Sequence, residues 1–262
     1  DSSPTKIAQT VAHRDKDPGG RLASYVDDMI AAMKKDGKLW RHLARRFAFK
    51  DAALLTKVIG MSIVFSRRAS FRVLAIDMSA YARFTVQAWS DEFPEYKVVT
   101  AYSPISIDPR RIPRGNEKTP PELLKKVQRI LGCILWLSRT ARLDLSFACS
   151  TLAGHTLCWT EAVTLQLYRC ICYINTTVDA VLEMKVHDDD RWSDLYPTTI
   201  FDADLNDRDG DAPVPQPRSQ TGWIYGQMSD RGSWLPIEYK SSTQAITTDS
   251  TPASETISMH AS

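Results

Sequence analysis

The sequence predicts an α+β fold, in which segments of strand-forming residues lie on either side of a long helical middle. Two runs rich in β-branched and aromatic residues, Lys57–Phe65 and Phe71–Ile76, are separated by five polar or small residues and predict a β-hairpin. Apolar residues from Leu123 to Leu135 recur at three- and four-residue intervals, which is typical of a packed helix. Short strand candidates return at Thr198–Phe201, Gly222–Gln227 and Trp234–Tyr239.

The N-terminal third contains one interrupted strand-like run and two helix-like runs. Residues 1–20 are polar and predict a loop or a frayed end. The run from Leu22 to Ile30 is interrupted at its centre by Asp27-Asp28, which places the two acids at the tip of a hairpin. Residues 36–49 and 77–93 carry apolar side chains at helical spacing and predict two helices.

A stretch rich in proline and arginine, residues 104–121, is the best candidate for a linker in the chain. Thr119 and Glu122 have the spacing of a capping box, in which a hydroxyl caps the helix that follows. No strand is predicted in the middle segment. Two further helices are predicted at about 144–153 and about 159–174. A β-like run at Ala245–Thr248 precedes a final helix that starts near Pro252.

Composition excludes several classes of protein. The 262 residues are enough for two ordinary domains. No segment has the roughly 18 uncharged apolar residues of a membrane-spanning helix, and the first residues have no apolar core of a signal peptide. The five cysteines form no CxxC pair, which argues against a disulfide framework or a zinc site and favours reduced thiols in an intracellular protein.

Charge is distributed unevenly along the chain. Residues 1–120 hold 21 basic and 13 acidic side chains, whereas residues 121–262 hold 12 basic and 18 acidic ones. A basic first half suits a polyanionic partner such as a nucleic acid. The alternative is that basic clusters such as Arg67-Arg68 are simply solvated faces.

Tyr25-Val26-Asp27-Asp28 is the first motif that could carry chemistry. Two adjacent carboxylates at a hairpin tip repel each other unless a cation or water screens them. In two-metal phosphoryl transfer, carboxylates hold two divalent ions roughly 3.5–4 Å apart, and the ions activate the attacking and leaving oxygens. For so short a motif, the alternative is an exposed turn without catalytic function.

Three further segments accompany this motif, namely Phe47–Asp51, Ile59–Ile63 and Leu131–Ala148. Together with Tyr25–Asp28 they resemble the reverse transcriptase of copia-type retrotransposon polyproteins. The longest match, LGCILWLSRTARLDLSFA, is similar to the family's G-x-L-x-Y-L-x-x-x-T-R-P-D-I-x-F-A pattern, with Leu143 in place of proline. Its apolar periodicity predicts a packing role for this segment.

Phe201-Asp202-Ala203-Asp204 is the second acidic motif, and three matching segments follow it, at Gln220–Tyr225, Ser233–Gln244 and Ser250–Glu255. In this order they resemble the start of the ribonuclease H domain of the same polyproteins, which reads D-x-D-W, S-T-S-G-Y, W-x-S-K-K-Q and S-S-T-E-A-E. Leu205 replaces the tryptophan and Ala253 replaces the first glutamate. The resemblance extends over nearly the whole chain from about residue 21.

The resemblance implies an activity, a cofactor and partners. The implied catalytic metal ligands are Asp27 and Asp28 in the polymerase site, with Asp202 and Glu255 in the nuclease site. Mg²⁺ is the implied cofactor, a primer–template duplex of RNA or DNA is the implied substrate, and the remainder of the polyprotein is an implied partner. The family also uses one aspartate before the first motif and two after the second, so we expect an inactive fragment.

The implied fold is part of a reverse transcriptase palm, a helical thumb or connector, and an incomplete ribonuclease-H-like sheet. We expect a loop at residues 1–20 and the palm at residues 21–108. The connector is expected at 109–190 and the ribonuclease H part at 191–262. Two rivals stay open, a non-catalytic nucleic-acid-binding remnant and a decayed copy without function. A calcium loop starting at Asp202 is disfavoured, since Asp207 and Pro213 occupy the positions that need glycine and glutamate.

Overall fold

The computed structural model describes residues 21–25, 28–32, 38–46, 54–106, 112–113, 115–204, 219–245 and 250–261. Over these ranges the chain is a mixed α+β protein, which confirms the predicted class at that level. It contains six α-helices, a two-stranded hairpin and a seven-stranded sheet. The chain divides into two compact units, residues 1–63 and 64–262.

The first unit contains the hairpin that the sequence predicts around its acidic pair. β1 (Arg21–Tyr25) and β2 (Asp28–Ala32) pair in antiparallel fashion, with Tyr25 opposite Asp28. Two residues therefore separate the paired ends of the strands. Asp27 lies outside the described residues, and so does the side chain of Asp28.

The same unit continues with a short helix and a tight turn. α1 (Lys38–Arg46) has no acidic residue in its first turn and two arginines in its last turn, which suits the negative end of the helix dipole. β3 (Lys57–Val58) pairs with the start of β4 (Met61–Arg68). The two residues between them, Ile59 and Gly60, both have positive φ, 47° and 79°, as a type I′ hairpin turn requires.

In the second unit, a hairpin leads into a layer of helices. β5 (Phe71–Asp77) follows β4 after Ala69, whose φ is 49°. α2 (Ser79–Glu92) begins after Asp77, whose carboxylate accepts a 2.7 Å hydrogen bond from the Ser79 backbone N–H. This bond satisfies one of the unpaired donors at the helix start.

Three more helices complete the core of this unit. α3 (Pro121–Thr140) leads through a 3₁₀ turn at Leu143–Leu145 into α4 (Ser146–Ala153), and α5 (Glu161–Thr176) follows. Apolar residues at helical spacing on α3 and α5 lose all contact with water, among them Ile130, Ile134, Leu137, Leu167 and Ile171. Burial of each such side chain stabilises the fold by about 1.5–3 kcal/mol.

The rest of the unit is mainly β-structure. It comprises β6 (Leu182–His187), β7 (Tyr196–Asp204), β8 (Gln220–Met228), β9 (Trp234–Thr243) and a final helix, α6 (Thr251–Ala261). The strand order of the large sheet is β3-β4-β5-β6-β9-β8-β7. β7, β8 and β9 form an antiparallel meander, and β6 joins β9 through the pairing of Lys185 with Trp234.

Two details differ from the sequence prediction. β6 lies inside the segment that was expected to be helical, and it pairs along its whole length with β5. The prediction of a capping box at Thr119 is wrong. The Thr119 hydroxyl instead donates to the Thr156 carbonyl at 2.8 Å and accepts a hydrogen bond from the Trp159 backbone N–H at 2.9 Å. Pro120 occupies the cap position instead, without a side-chain bond. The β-like run predicted at Ala245–Thr248 falls almost entirely outside the described residues.

Candidate functional site

Asp202, from the second acidic motif, lies on β7, which is an edge strand of the seven-stranded sheet. Successive side chains on a strand point to opposite faces. Ala203 pairs with Thr221 on β8, and both are buried. Asp202, one residue earlier, is exposed on the other face, where its partner across the strands is Gly222. A glycine opposite the acid leaves space beside the carboxylate.

The helix that carries Glu255 is fixed to this part of the sheet by hydroxyl and amide groups. The Gln244 side-chain N–H donates to the Thr221 hydroxyl at 2.9 Å and to the Ser254 carbonyl at 2.9 Å. The Ser258 hydroxyl donates to the backbone carbonyl of Asp202 at 3.0 Å. Ser254 and Ser258 have no exposed surface, so these bonds form away from water and fix the position of α6 against β7 and β8.

Glu255 follows Ser254 directly and precedes Ser258 by three residues, so it lies beside the packed face of α6. Its side chain is half-buried. The ion pairs found among the described residues involve acids other than Asp202 and Glu255. The Asp202 carboxylate accepts a 3.0 Å hydrogen bond from the Ala203 backbone N–H. No cluster of three or more potential metal-binding side chains is found within the described ranges.

The four predicted site residues therefore divide between the two units. Asp27 and Asp28 belong to the first unit and to the β1–β2 hairpin. Asp202 and Glu255 belong to the second unit, where a strand and a helix in direct contact carry them. Asp204 ends β7, and its side chain lies outside the described residues.

A cavity of about 390 Å³ opens beside Asp202. It lies between the start of α4 and the β7-β8-β9 meander. Ser146 and Phe147 line it from the helix, and Ile224 and Tyr239 line it from the sheet. The Tyr239 hydroxyl is buried and has no hydrogen-bond partner among the described residues, and burial raises the pKa of Tyr239 to about 12. The hydroxyl is therefore a neutral donor at physiological pH.

The segment Leu131–Ala148 was predicted to pack through its apolar residues, and its polar residues also have a structural role. Arg142 is 2% exposed and donates from Nε and from one terminal nitrogen to the Asp144 carboxylate, at 3.0 and 2.8 Å. The guanidinium also donates to the carbonyl and hydroxyl of Thr177, at 3.1 and 2.6 Å. These four bonds join the 3₁₀ turn after α3 to the C-terminal end of α5.

Sequence reasoning missed Asp190, whose side chain is fully buried. Its carboxylate accepts hydrogen bonds from the hydroxyls of Ser229 and Ser233 and from the Arg231 guanidinium. The hydroxyl bonds, strengthened by Arg231, lower the pKa of Asp190 to about 2. The available signal was a turn with two serines around an arginine, and it gave no indication of which of three adjacent aspartates it would bind.

Some basic residues of the first half of the sequence form ion pairs, among them the Arg67-Arg68 cluster. Arg67 pairs with Asp188 at 2.9 Å, Arg68 with Glu183 at 2.7 Å, and Arg83 with Asp179 at 2.6 Å. Acids from the second half of the sequence therefore offset part of the basic excess of the first half. For Arg67-Arg68 this favours the interpretation as a solvated, ion-paired face.

Two general comparisons complete the description. Among the described residues, no helix combines the length and the apolar character that a membrane crossing requires. Searches against family models, curated proteins and solved structures find no match to this chain.

Proposed function

We propose that this chain is part of a retroelement RNA-directed DNA polymerase with ribonuclease H activity, of the copia type. The support is the order of the matched motifs, together with one structural observation. The Ser258 hydroxyl bonds the Asp202 carbonyl, so the helix carrying Glu255 packs against the strand carrying Asp202. A carboxylate from a strand and one from an adjacent helix are two of the donors that the nuclease site of this family uses.

The donor set fits magnesium. Carboxylate oxygens are the ligands that Mg²⁺ prefers, and this ion usually keeps several waters and binds through only one or two carboxylates. Asp202 is exposed and Glu255 is half-buried, so water can reach both residues. In the proposed function Asp202 and Glu255 hold the ion of the nuclease site, while Asp27 and Asp28 hold that of the polymerase site. The ion would stabilise the negative charge that develops on the phosphate during transfer.

A primer–template duplex is the proposed substrate. Because the matched motifs supply only two carboxylates to each site, we expect this chain alone to bind divalent ions weakly. We also expect it neither to extend primers nor to cut RNA–DNA hybrids. Magnesium-dependent turnover that is lost in Asp202→Asn would show that the chain is itself an active enzyme.

Manganese titration followed by electron paramagnetic resonance tests the proposed ligands directly. Asp202→Asn and Glu255→Gln should each raise the Kd for Mn²⁺ at least tenfold, because each removes one charged ligand. Glu238→Gln on β9 is the matched control, since Glu238 is exposed and lies in the same meander. If both site variants bind Mn²⁺ as the control does, the nuclease assignment is wrong.

A non-catalytic nucleic-acid-binding remnant is the second candidate, and α1 favours it. Its exposed residues include Arg41, Arg45 and Arg46, and the helix contains no acidic residue. Phosphate contacts give a steep dependence of affinity on salt. A salt titration of duplex binding therefore measures this activity, and the manganese titration distinguishes it from the first proposal.

A further inference from the structure

A second cavity of about 470 Å³ adjoins the cavity beside Asp202, and both lie within the second unit. It lies between α3, α4 and β9. The two cavities share Ser146, Tyr239, Lys240 and Ser241 as lining residues. They therefore form one continuous depression, called here the α4 groove, which runs from α3 past Tyr239 to Asp202.

The α4 groove carries two cationic side chains, Arg139 in the second cavity and Lys240 where the two cavities meet. Arg139 and Lys240 line the second cavity, and no acidic residue lines it. Both side chains are exposed. Arg67, Arg68 and Arg83 of the same unit are paired with carboxylates, whereas no ion pair of Arg139 or Lys240 is found among the described residues. Two cations in a concave surface, with no ion pair among the residues that the structure describes, attract an anionic ligand.

The walls of the groove also carry apolar and hydrogen-bonding groups. Phe147 on α4 is 37% exposed, and Ile200 on β7 is 54% exposed. Tyr239 lines both cavities, and its buried hydroxyl has no hydrogen-bond partner among the described residues. Sites for single-stranded nucleic acids combine cations that follow the phosphates with aromatic faces on which bases stack.

We propose that the α4 groove binds a single strand of nucleic acid, with phosphates at Arg139 and Lys240 and a base on Phe147, and directs the strand toward Asp202. This inference rests on the proposed function, which brings a nucleic acid to Asp202, and the groove would hold a single-stranded segment that continues from the duplex. Each cavity has the volume of a small-ligand site, which accommodates individual nucleotides of a single strand. Arg139 and Lys240 then act as positioning residues.

Fluorescence anisotropy with a labelled single-stranded oligonucleotide of twelve nucleotides, in EDTA, tests the groove. The double variant Arg139→Ala with Lys240→Ala should raise the Kd at least tenfold. It should also reduce the salt slope of log Kd by about 1.4, because each phosphate contact to a single strand contributes about 0.7. Phe147→Ala should raise the Kd several-fold and leave the salt slope unchanged, because stacking releases no counterions.

The matched control removes two charges elsewhere on the surface. Lys97→Ala with Lys125→Ala changes the net charge equally at exposed lysines that do not line the groove. It should change the Kd less than twofold. If the two double variants weaken oligonucleotide binding equally, the effect comes from net charge alone and the proposal is overturned. Equal affinity for polyglutamate of the same length would overturn the nucleic acid as occupant.

The two proposals can fail separately. The binding assay contains no divalent ion, so it does not depend on the metal ligands. If the Arg139 and Lys240 variant binds the strand as well as the wild type while Asp202→Asn still weakens Mn²⁺ binding, the groove proposal alone is wrong. If strand binding is lost as expected and Mn²⁺ affinity is unchanged in Asp202→Asn, the metal site alone is wrong.

Discussion

Arg142 shows how a charged side chain can be part of a protein core. Its guanidinium is buried, its Asp144 partner is partly exposed at 35% of the side chain, and the ring of Tyr173 lies 5.7 Å from the guanidinium carbon. Only a planar group with several donors can bind a carboxylate, a carbonyl and a hydroxyl at once. The segment Leu131–Ala148 therefore carries a structural clamp at Arg142, as its predicted packing role requires.

Arg142→Lys tests this clamp. Lysine keeps the charge but cannot make the paired bonds to Asp144 together with those to Thr177, so we expect a loss of about 2 kcal/mol in the free energy of unfolding. The matched control is Arg83→Lys, because the Arg83–Asp179 pair is exposed on both sides and should contribute less than about 1 kcal/mol. Urea unfolding at neutral pH measures both. Equal midpoints for the two variants would contradict the role of Arg142.

At the scale of elements, the sequence predicts structure where local periodicity decides it. The helices α2 to α5 and the meander β7 to β9 follow from apolar spacing and turn residues. β6 was missed although Leu182–His187 alternates apolar with charged or polar residues, the pattern of a half-buried strand. Its pairing with the distant β5 could not be predicted from local sequence. Long-range pairing also explains why Thr119, which has a capping-box spacing, instead bonds Thr156 and Trp159.

The candidate site was predictable to the same degree. Local patterns predicted a strand that ends next to Asp202 and a helix that contains Glu255, and the structure has β7 and α6 at these places. Their mutual position could not be predicted, since it depends on Gln244, Ser254 and Ser258, whose hydrogen bonds join residues far apart in the chain. Polar residues on a short helix predict an exposed face, and only the structure shows that Ser254 and Ser258 are buried.

The β8–β9 pairing contains a position where the backbone excludes any side chain. The register shifts between Tyr225 and Gly226, and a Cβ at Gly226 would lie 2.5 Å from the Leu235 carbonyl oxygen. Gly226→Ala should therefore lower the free energy of unfolding by about 1–3 kcal/mol, because the contact is with backbone and cannot relax by rotation. Gly222→Ala on the same strand is the control, since its Cβ would meet no atom within 4 Å. If the urea midpoints of the two variants fall equally, the close backbone contact at Gly226 is not the cause of the destabilisation.

At the scale of the whole molecule, the continuity of the large sheet depends on a small junction. The sequence predicted a palm-like sheet and a ribonuclease-H-like sheet, and the structure shows β5 and β9 joined through β6 in one sheet. A single residue pair is registered between β6 and β9. Around this pair, the Ser233 hydroxyl accepts from the His187 N–H at 2.8 Å and donates to Asp190. Asp190 thus fastens the β8–β9 turn to the end of β6.

Asp190→Asn should weaken this junction in a manner that depends on pH. The folded-state pKa of Asp190 is about 2, below the value of about 3.9 expected in the unfolded chain. The ionised carboxylate therefore stabilises the fold fully above about pH 4, and its contribution disappears as the pH falls through 2. The difference in urea midpoint between wild type and variant should stay constant from pH 7 to about 5 and narrow toward pH 3.

The exposed Asp230→Asn, in the same turn, is the control and should leave the midpoint almost unchanged at each pH. A constant difference for Asp190→Asn down to pH 3 would mean that its charge does not support the junction.

The far-ultraviolet signal and tryptophan fluorescence should report the same midpoint in the wild type. They should separate in the variant, because Trp223 and Trp234 lie on the β8–β9 side of the junction and Trp89 lies in the helical core. Separation would show that one buried carboxylate makes the two halves of the sheet unfold together.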